Sequence, residues 1–424
     1  MKIYNNPEKS IWPQLCTRPA FDYSSLEGLV APILADIKQN GDTAVKKYAA
    51  QFDKVNLDAI KVTAEEMNEA AALVPANLKA AITQAAANIR LFHEAQKETI
   101  QQINTMPGVL CWRKSVGIGD VGLYIPGGTA PLFSTLLMLG IPAKIAGCKN
   151  IVLCTPSNAE GKINEAVLFT AQLLGLKNVF KLGGVQAIGA MAYGTESVPK
   201  VSKIFGPGNQ YVTAAKQMVN RQGTAIDMPA GPSELAVYAD ETAVPAFVAS
   251  DLLSQAEHGI DSQVMLVASA ENIALAIEEE VNKQLLSLPR KDIAAEALTH
   301  SRYVVIESMD TAFDFLNEYA AEHLIIASNN ALELSDKVIN AGSIFLGNYS
   351  PESAGDYASG TNHTLPTNGY AKAYSGVSVD SFVKKITFQQ LSQEGLEGIG
   401  DTVELMAAAE GLEAHRNAVA IRRK

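Results

Sequence analysis

From Phe21 to Lys97 apolar residues recur at helical spacing, Leu29, Ile33 and Ile37 and later Leu78, Ile82, Ile89 and Phe92, with a capping-box start at Thr63 and Glu66. This stretch predicts helices and carries no obvious chemistry. After Pro107-Gly108 the pattern changes to short β-rich apolar runs alternating with helical segments, which predicts an α/β parallel sheet. The runs are VGLYI (121–125), NIVLC (150–154), NVFKL (178–182), VSKIF (201–205), ELAVYA (234–239), QVMLVA (263–268), RYVVI (302–306), HLIIA (323–327) and SIFLG (343–347). Nine strands exceed one comfortable sheet, and the Pro/Gly-rich IDMPAGPSE (226–234) divides them four and five. From Asp380 the pattern is helical again, and a tail of about 45 residues is too short to bury a core alone. The expected organisation is a mainly helical N-terminal segment packed on the body (1–110), two α/β domains (111–230 and 231–379) and a helical tail (380–424) that packs on the body or on another subunit.

Composition narrows the class without changing that layout. The chain has 424 residues, 47% of them apolar, enough for more than one core, and its Gly, Pro and charged contents exclude disordered and fibrous classes. A net charge of −11, with Arg422, Arg423 and Lys424 as the one basic run, argues against a nucleic-acid partner. The longest apolar stretch, Pro131 to Ala143, is followed by Lys144 and falls short of the roughly 20 residues that a membrane span needs. The start MKIYNNPEKSIWPQL lacks the apolar block of a signal peptide, so a cytoplasmic chain is expected. Four cysteines without CxxC spacing (Cys16, Cys111, Cys148, Cys154) are expected to be reduced.

Gly117-Ile118-Gly119-Asp120-Val121-Gly122 spells G-x-G-x-x-G, but a strand follows it rather than a helix, so a turn is expected there. Three other glycine junctions have the better context of strand, then glycine, then helix: Pro126-Gly127-Gly128-Thr129 with a helix from Ala130 or Pro131, Leu182-Gly183-Gly184, and Phe205-Gly206-Pro207-Gly208-Asn209. All three fall at the carboxyl edge of one sheet, where backbone amides can face an anion, and together they favour a nucleotide-sized ligand.

Of six histidines, four have suggestive neighbours. Gln255 and His258 are three apart and share a face if helical. Glu322-His323 opens HLIIA, a placement suited to proton transfer or simply to a solvated junction. The polar segment 350–367 reads as a long loop carrying Glu352, Asp356 and His363, while His415 lies in the last helix, five residues after Glu410.

The block IDMPAGPSELAVYADETAVPAFVASDLLSQAEH (226–258), with YIPGGTAPLFST, KIFGPGNQYVTAAKQ, AEHLII, GSIFLGNYSPESAGDYASGTNHTLPT and AAAEGLEAHRNAV in order, resembles the histidinol dehydrogenase family over about 90% of the chain. The resemblance implies two incomplete Rossmann-like (parallel-sheet) domains with helical N- and C-terminal segments. It implies an enzyme of histidine biosynthesis that oxidises L-histidinol through L-histidinaldehyde to L-histidine with two NAD⁺ and one zinc ion per subunit. Gln255, His258, Asp356 and His415 would hold the zinc, which positions the substrate by its imidazole and amino nitrogens. His323 would take the alcohol proton, and Glu322 would activate water on the aldehyde. Ser233, His363 and Glu410 resemble substrate contacts, as do His323 and the zinc ligands. Tyr124, Gln186 and Asn209 match NAD contacts, one at each glycine junction. The family is a homodimer whose C-terminal segment enters the neighbouring site, which would put Glu410 and His415 in trans. An aldehyde dehydrogenase working through a cysteine thiohemiacetal is one rival, and a zinc- or nucleotide-binding module without turnover is another.

Overall fold

The computed structural model describes residues 2–19, 23–127, 131–228 and 231–424. Strand β1 (Ile3–Asn5) precedes the helices Tyr23–Tyr48, Ala64–Leu73 and Ala76–Glu94, and a hairpin of β2 (Gln102–Met106) and β3 (Val109–Gly117) follows. Next come β4 (Asp120–Tyr124), β5 (Asn150–Thr155), β6 (Asn178–Lys181), β7 (Lys203–Phe205) and β8 (Ala225–Ile226). They form a five-stranded parallel sheet in the order β6-β5-β4-β7-β8. A second run, β9 (Glu234–Ala239), β10 (Gln263–Ala268), β11 (Arg302–Val305), β12 (His323–Ala327) and β13 (Ser343–Leu346), takes in β1 at its edge. The result is a six-stranded parallel sheet ordered β1-β11-β10-β9-β12-β13. All nine apolar runs are strands.

Both sheets are covered on two faces, so β9 and β10 are buried at every position. Helix Phe133–Ile145 is apolar all round, which fits its place in the core with ten consecutive buried residues from Ser134 to Ala143. Burying each of its large aliphatic side chains contributes roughly 1.5–3 kcal/mol. Among the described residues no helix is long and apolar enough to cross a membrane. The N-terminal helices pack on the first sheet's layer, Tyr23–Tyr48 against Gly184–Tyr193 and Gln210–Asn220, and Ala76–Glu94 against Phe133–Ile145. The Thr63 capping box is present, with Glu66 N–H to Thr63 at 3.1 Å and Thr63 N–H to Glu66 at 2.9 Å.

Several expectations need correcting. In the first long helix the core face is Leu26, Val30, Leu34 and Ile37, whereas Leu29 is 59% exposed and lines a cleft. The tail is not helical from Asp380: β14 (Val383–Leu391) pairs antiparallel with β3 along its whole length, in a sheet ordered β14-β3-β2. Helices then resume as Gln393–Ala409 and Glu413–Ala420. The helix after β4 begins at Phe133 with Leu132 as its cap; Gly128, Thr129 and Ala130 lie outside the described residues, as does Phe21. The G-x-G-x-x-G segment is the turn between β3 and β4.

Candidate active site

Two sites emerge, at opposite kinds of sheet edge. The first is a cleft of about 1240 Å³ past the carboxyl ends of the first sheet, lined by Tyr48, Asp53, Tyr124, Gly183, Gln186 and Asn209. Its volume exceeds the roughly 300–1,000 Å³ of ordinary small-molecule pockets and suits an extended ligand. The three residues expected to touch a dinucleotide all line it. The helix starts there are less free than expected. Gly184 N–H donates to the Tyr124 hydroxyl at 3.0 Å, and the Gly183 amide goes to Asp53. The Asn209 side-chain oxygen caps Gln210–Asn220, accepting from Tyr211 and Val212 N–H at 3.1 Å each. A capped helix start has fewer amides to offer a phosphate.

The second site lies at the amino edge of the six-stranded sheet. His323 is the first residue of β12, and Ser233 immediately precedes the neighbouring β9. Gln255 is in helix Pro245–Ala256, while His258 lies just past that helix in a turn, so the two do not share one helical face as expected. The segment 350–367 is not all loop: it contains the helix Glu352–Tyr357, which carries Glu352 and Asp356.

These elements surround one imidazole with acid. His323 Nδ1 is 3.5 Å from Glu352 and 3.7 Å from Glu322, and its Nε2 is 3.5 Å from Asp356 Oδ1. Burial opposes charge on His323, yet Glu352, Glu322 and Asp356 together push its pKa up to about 10. Burial raises Glu322 and Glu352 to about 8 each, and although burial also works on Asp356, contact with His323 holds it below the usual carboxylate range. Glu322 accepts the Glu234 N–H at 2.9 Å, which fixes the carboxylate against the start of β9. A buried bidentate pair from Arg18, at 2.9 Å on both Glu234 oxygens, anchors that strand end.

His363 bridges the layers. Its Nδ1 pairs with the Asp356 carbonyl at 2.8 Å and its Nε2 with Thr135 of helix Phe133–Ile145 at 3.0 Å. Burial lowers its pKa and that of His258 too, which feels the charges of Asp356, His323 and His363. Glu410 and His415 are exposed and stand on either side of a break, Glu410 ending one helix and His415 in the next, with Gly411 at φ +73° between. The single chain therefore gathers Gln255, His258, Glu322, His323, Asp356 and His363, with Ser233 at the rim, and leaves Glu410 and His415 outside.

The pocket has the chemistry of a cation site. His323, Glu352 and Asp356 offer ligand atoms within 4.8 Å of one another. Buried His323 Nε2 and Asp356 Oδ1 have no hydrogen-bond partner. The Gln255 amide oxygen faces the Glu352 carboxylate, acceptor against acceptor; turned over, the amide would donate to Glu352 and accept Glu234 N–H at 3.1 Å. A divalent ion reconciles crowded acceptors, and oxygen and nitrogen donors without thiolate suit zinc. Glu352 was not singled out as a site residue from sequence; its one signal was an acid in a long polar segment. Cys148 and Cys154 are poor nucleophiles: burial raises Cys148 to about 11 and Cys154 further, which disfavours the thiolate of each.

Two parallel-sheet layers, one with a dinucleotide-sized cleft and one with a buried acid-histidine pocket, define an oxidoreductase-like architecture, and comparison with known proteins specifies it. The histidinol dehydrogenase family model matches residues 16–423. Histidinol dehydrogenase of Bacteroides thetaiotaomicron is 59% identical over 422 residues, covering 100% of this chain and 99% of that one. The Escherichia coli enzyme is 52% identical over 412 residues, 96% of this chain and 94% of its own. A crystal structure of histidinol dehydrogenase from Elizabethkingia anophelis superposes with a TM-score of 0.98 at 56% identity, covering 100% of this chain and 98% of that one. The chain belongs to the histidinol dehydrogenase family and is an oxidoreductase of histidine biosynthesis.

Proposed function

We propose that the chain carries out the four-electron oxidation of L-histidinol to L-histidine through L-histidinaldehyde, with two NAD⁺ and one zinc ion per subunit. The observation that carries this reading is the buried pair of unsatisfied atoms, His323 Nε2 and Asp356 Oδ1, set among acids beside Gln255 and His258. Gln255, His258 and Asp356 would hold the metal together with His415 from a second copy, since His415 is exposed on a helix that buries none of its residues in its own chain. When bound, zinc supplies a Lewis-acidic anchor for the nitrogens of the substrate.

With zinc bound in the pocket the pKa of both His323 and Glu322 would fall, leaving a neutral imidazole and a carboxylate, and the imidazole takes the proton of the alcohol as hydride leaves the same carbon for NAD⁺, giving the aldehyde. Glu322 then takes a proton from water as its oxygen adds to the aldehyde carbon. A second hydride leaves the resulting hydrate for a second NAD⁺, and the acid so formed gives its proton to solvent, leaving the carboxylate. Ser233, His363 and Glu410 orient the substrate, and Tyr124, Gln186 and Asn209 hold the cofactor. Burial of Glu322 and His323 keeps bulk water from competing for either proton. The test is stoichiometric: limiting L-histidinol with excess NAD⁺ should yield two NADH per histidinol at completion. A value of one means that the aldehyde is released, and none means a binding module.

A further inference from the structure

The large cleft contains a polar atom that the chain leaves unsatisfied. Gln186 is completely buried at 0% exposure; its amide nitrogen donates to Asp53 Oδ2 at 2.8 Å, and its amide oxygen has no hydrogen-bond partner. A buried acceptor without a donor is costly to the fold. Which end of the amide meets Asp53 is decided by chemistry: an ionised carboxylate accepts and cannot donate, so it takes the NH₂ and turns the oxygen away. Asp53 is held in place for this by unusual backbone. It ends a single π-type turn, Ala49–Asp53, and the next residue, Lys54, is left-handed at φ 57°. Such conformations are strained and cluster at functional sites. The two amides nearest to this spot, those of Gly183 and Gly184, are already taken by Asp53 and the Tyr124 hydroxyl. An acceptor without a donor therefore lies in the cleft wall here, beside a carboxylate, where a helix start would otherwise offer donors.

We propose that Asp53 is a positioning residue for the cofactor: it clamps the Gln186 amide so that the amide oxygen accepts a hydrogen bond from a hydroxyl or amino group of the dinucleotide, and not from any phosphate. This rests on the reading that the cleft takes NAD⁺. Because Asp53 acts through Gln186, its effect vanishes once Gln186 is gone, which a merely structural role would not produce.

The test is calorimetric titration of NAD⁺ into the zinc-loaded protein, its Asp53→Ala and Gln186→Ala variants and the double variant. Each single change is expected to weaken NAD⁺ binding about five- to tenfold, the worth of one hydrogen bond. The double variant is expected to bind within twofold of Gln186→Ala alone. Asp53→Leu, close in shape and without an acceptor, repeats the measurement if the alanine variant does not fold. Losses that multiply in the double variant, or an unchanged Asp53 variant, overturn the proposal while the cofactor reading stands. A wild-type protein that fails to take up NAD⁺ overturns both.

Discussion

His323 shares its surroundings with three carboxylates, and this sets what can be expected of individual residues. Removing the imidazole leaves the acids that face it in place but deletes the group that takes the alcohol proton. His323→Ala is expected to lower turnover about 10²–10⁴-fold with zinc content unchanged. His258→Ala is expected to release the metal, because no other nitrogen ligand of the proposed set comes from the same chain. Elemental analysis of both variants separates the roles: zinc lost from His323→Ala, or kept in His258→Ala, contradicts the assignment. Glu322-His323 was visible in sequence because both groups are adjacent and open an apolar strand. Glu352 and Asp53 were not. Glu352 begins a short α-helix and Asp53 ends a π-type turn; their partners, His323 and Gln186, are distant in the chain, and no local period reports such a pairing.

Among elements, helix Pro245–Ala256 shows most plainly how the site strains the fold. It buries Val248, Ala249, Leu252, Leu253 and Gln255, and on the same helix it half-buries Asp251, whose carboxyl burial raises from 3.8 to about 7. Glu352 is the acid that feels its charge. In the unfolded chain Asp251 ionises near pH 4 and in the folded protein near 7, so the folded state holds the extra proton and stability is lost as pH rises between the two. Asp251→Asn removes that loss. Its thermal midpoint should exceed the wild type's by a few degrees at pH 8 and match it near pH 4, a difference of about 2 kcal/mol after discounting for partial exposure. A gain equal at both values would show that ionisation is not the cause.

The nine apolar strands were legible because strands buried on both faces leave continuous runs. The five others escaped for the opposite reason: β2 is exposed throughout, β3 buries Val109 alone, β14 mixes Lys385, Gln389 and Gln390 among Ile386 and Phe388, and β1 and β8 are edge strands of three and two residues. The amino-edge pocket escaped the rule that open α/β sheets bind ligands at their carboxyl ends, which located the first cleft.

On the scale of the whole molecule, the tail is the least self-sufficient part. Gly395, Gly400 and Ala407 are the buried residues of helix Gln393–Ala409, Glu413–Ala420 buries none, and Leu405, Met406 and Ile421 are exposed. Arg423 pairs with Glu397, Asp401 and Glu404, so the two helices hold each other, while the tail meets the body where β14 lies on β3 and Gly395 touches Gly108. That the tail is too short to bury a core alone was readable from its length; where His415 goes was implied by family resemblance alone. In the proposed enzyme a second copy completes each pocket, and one mixing experiment tests it. His323→Ala and His415→Asn, each nearly inactive, are combined as differently tagged chains and loaded with zinc. Random pairing makes half the dimers mixed, and each mixed dimer has one pocket with both residues intact, so about one quarter of wild-type activity should return. Mixed dimers that form and stay inactive would contradict it.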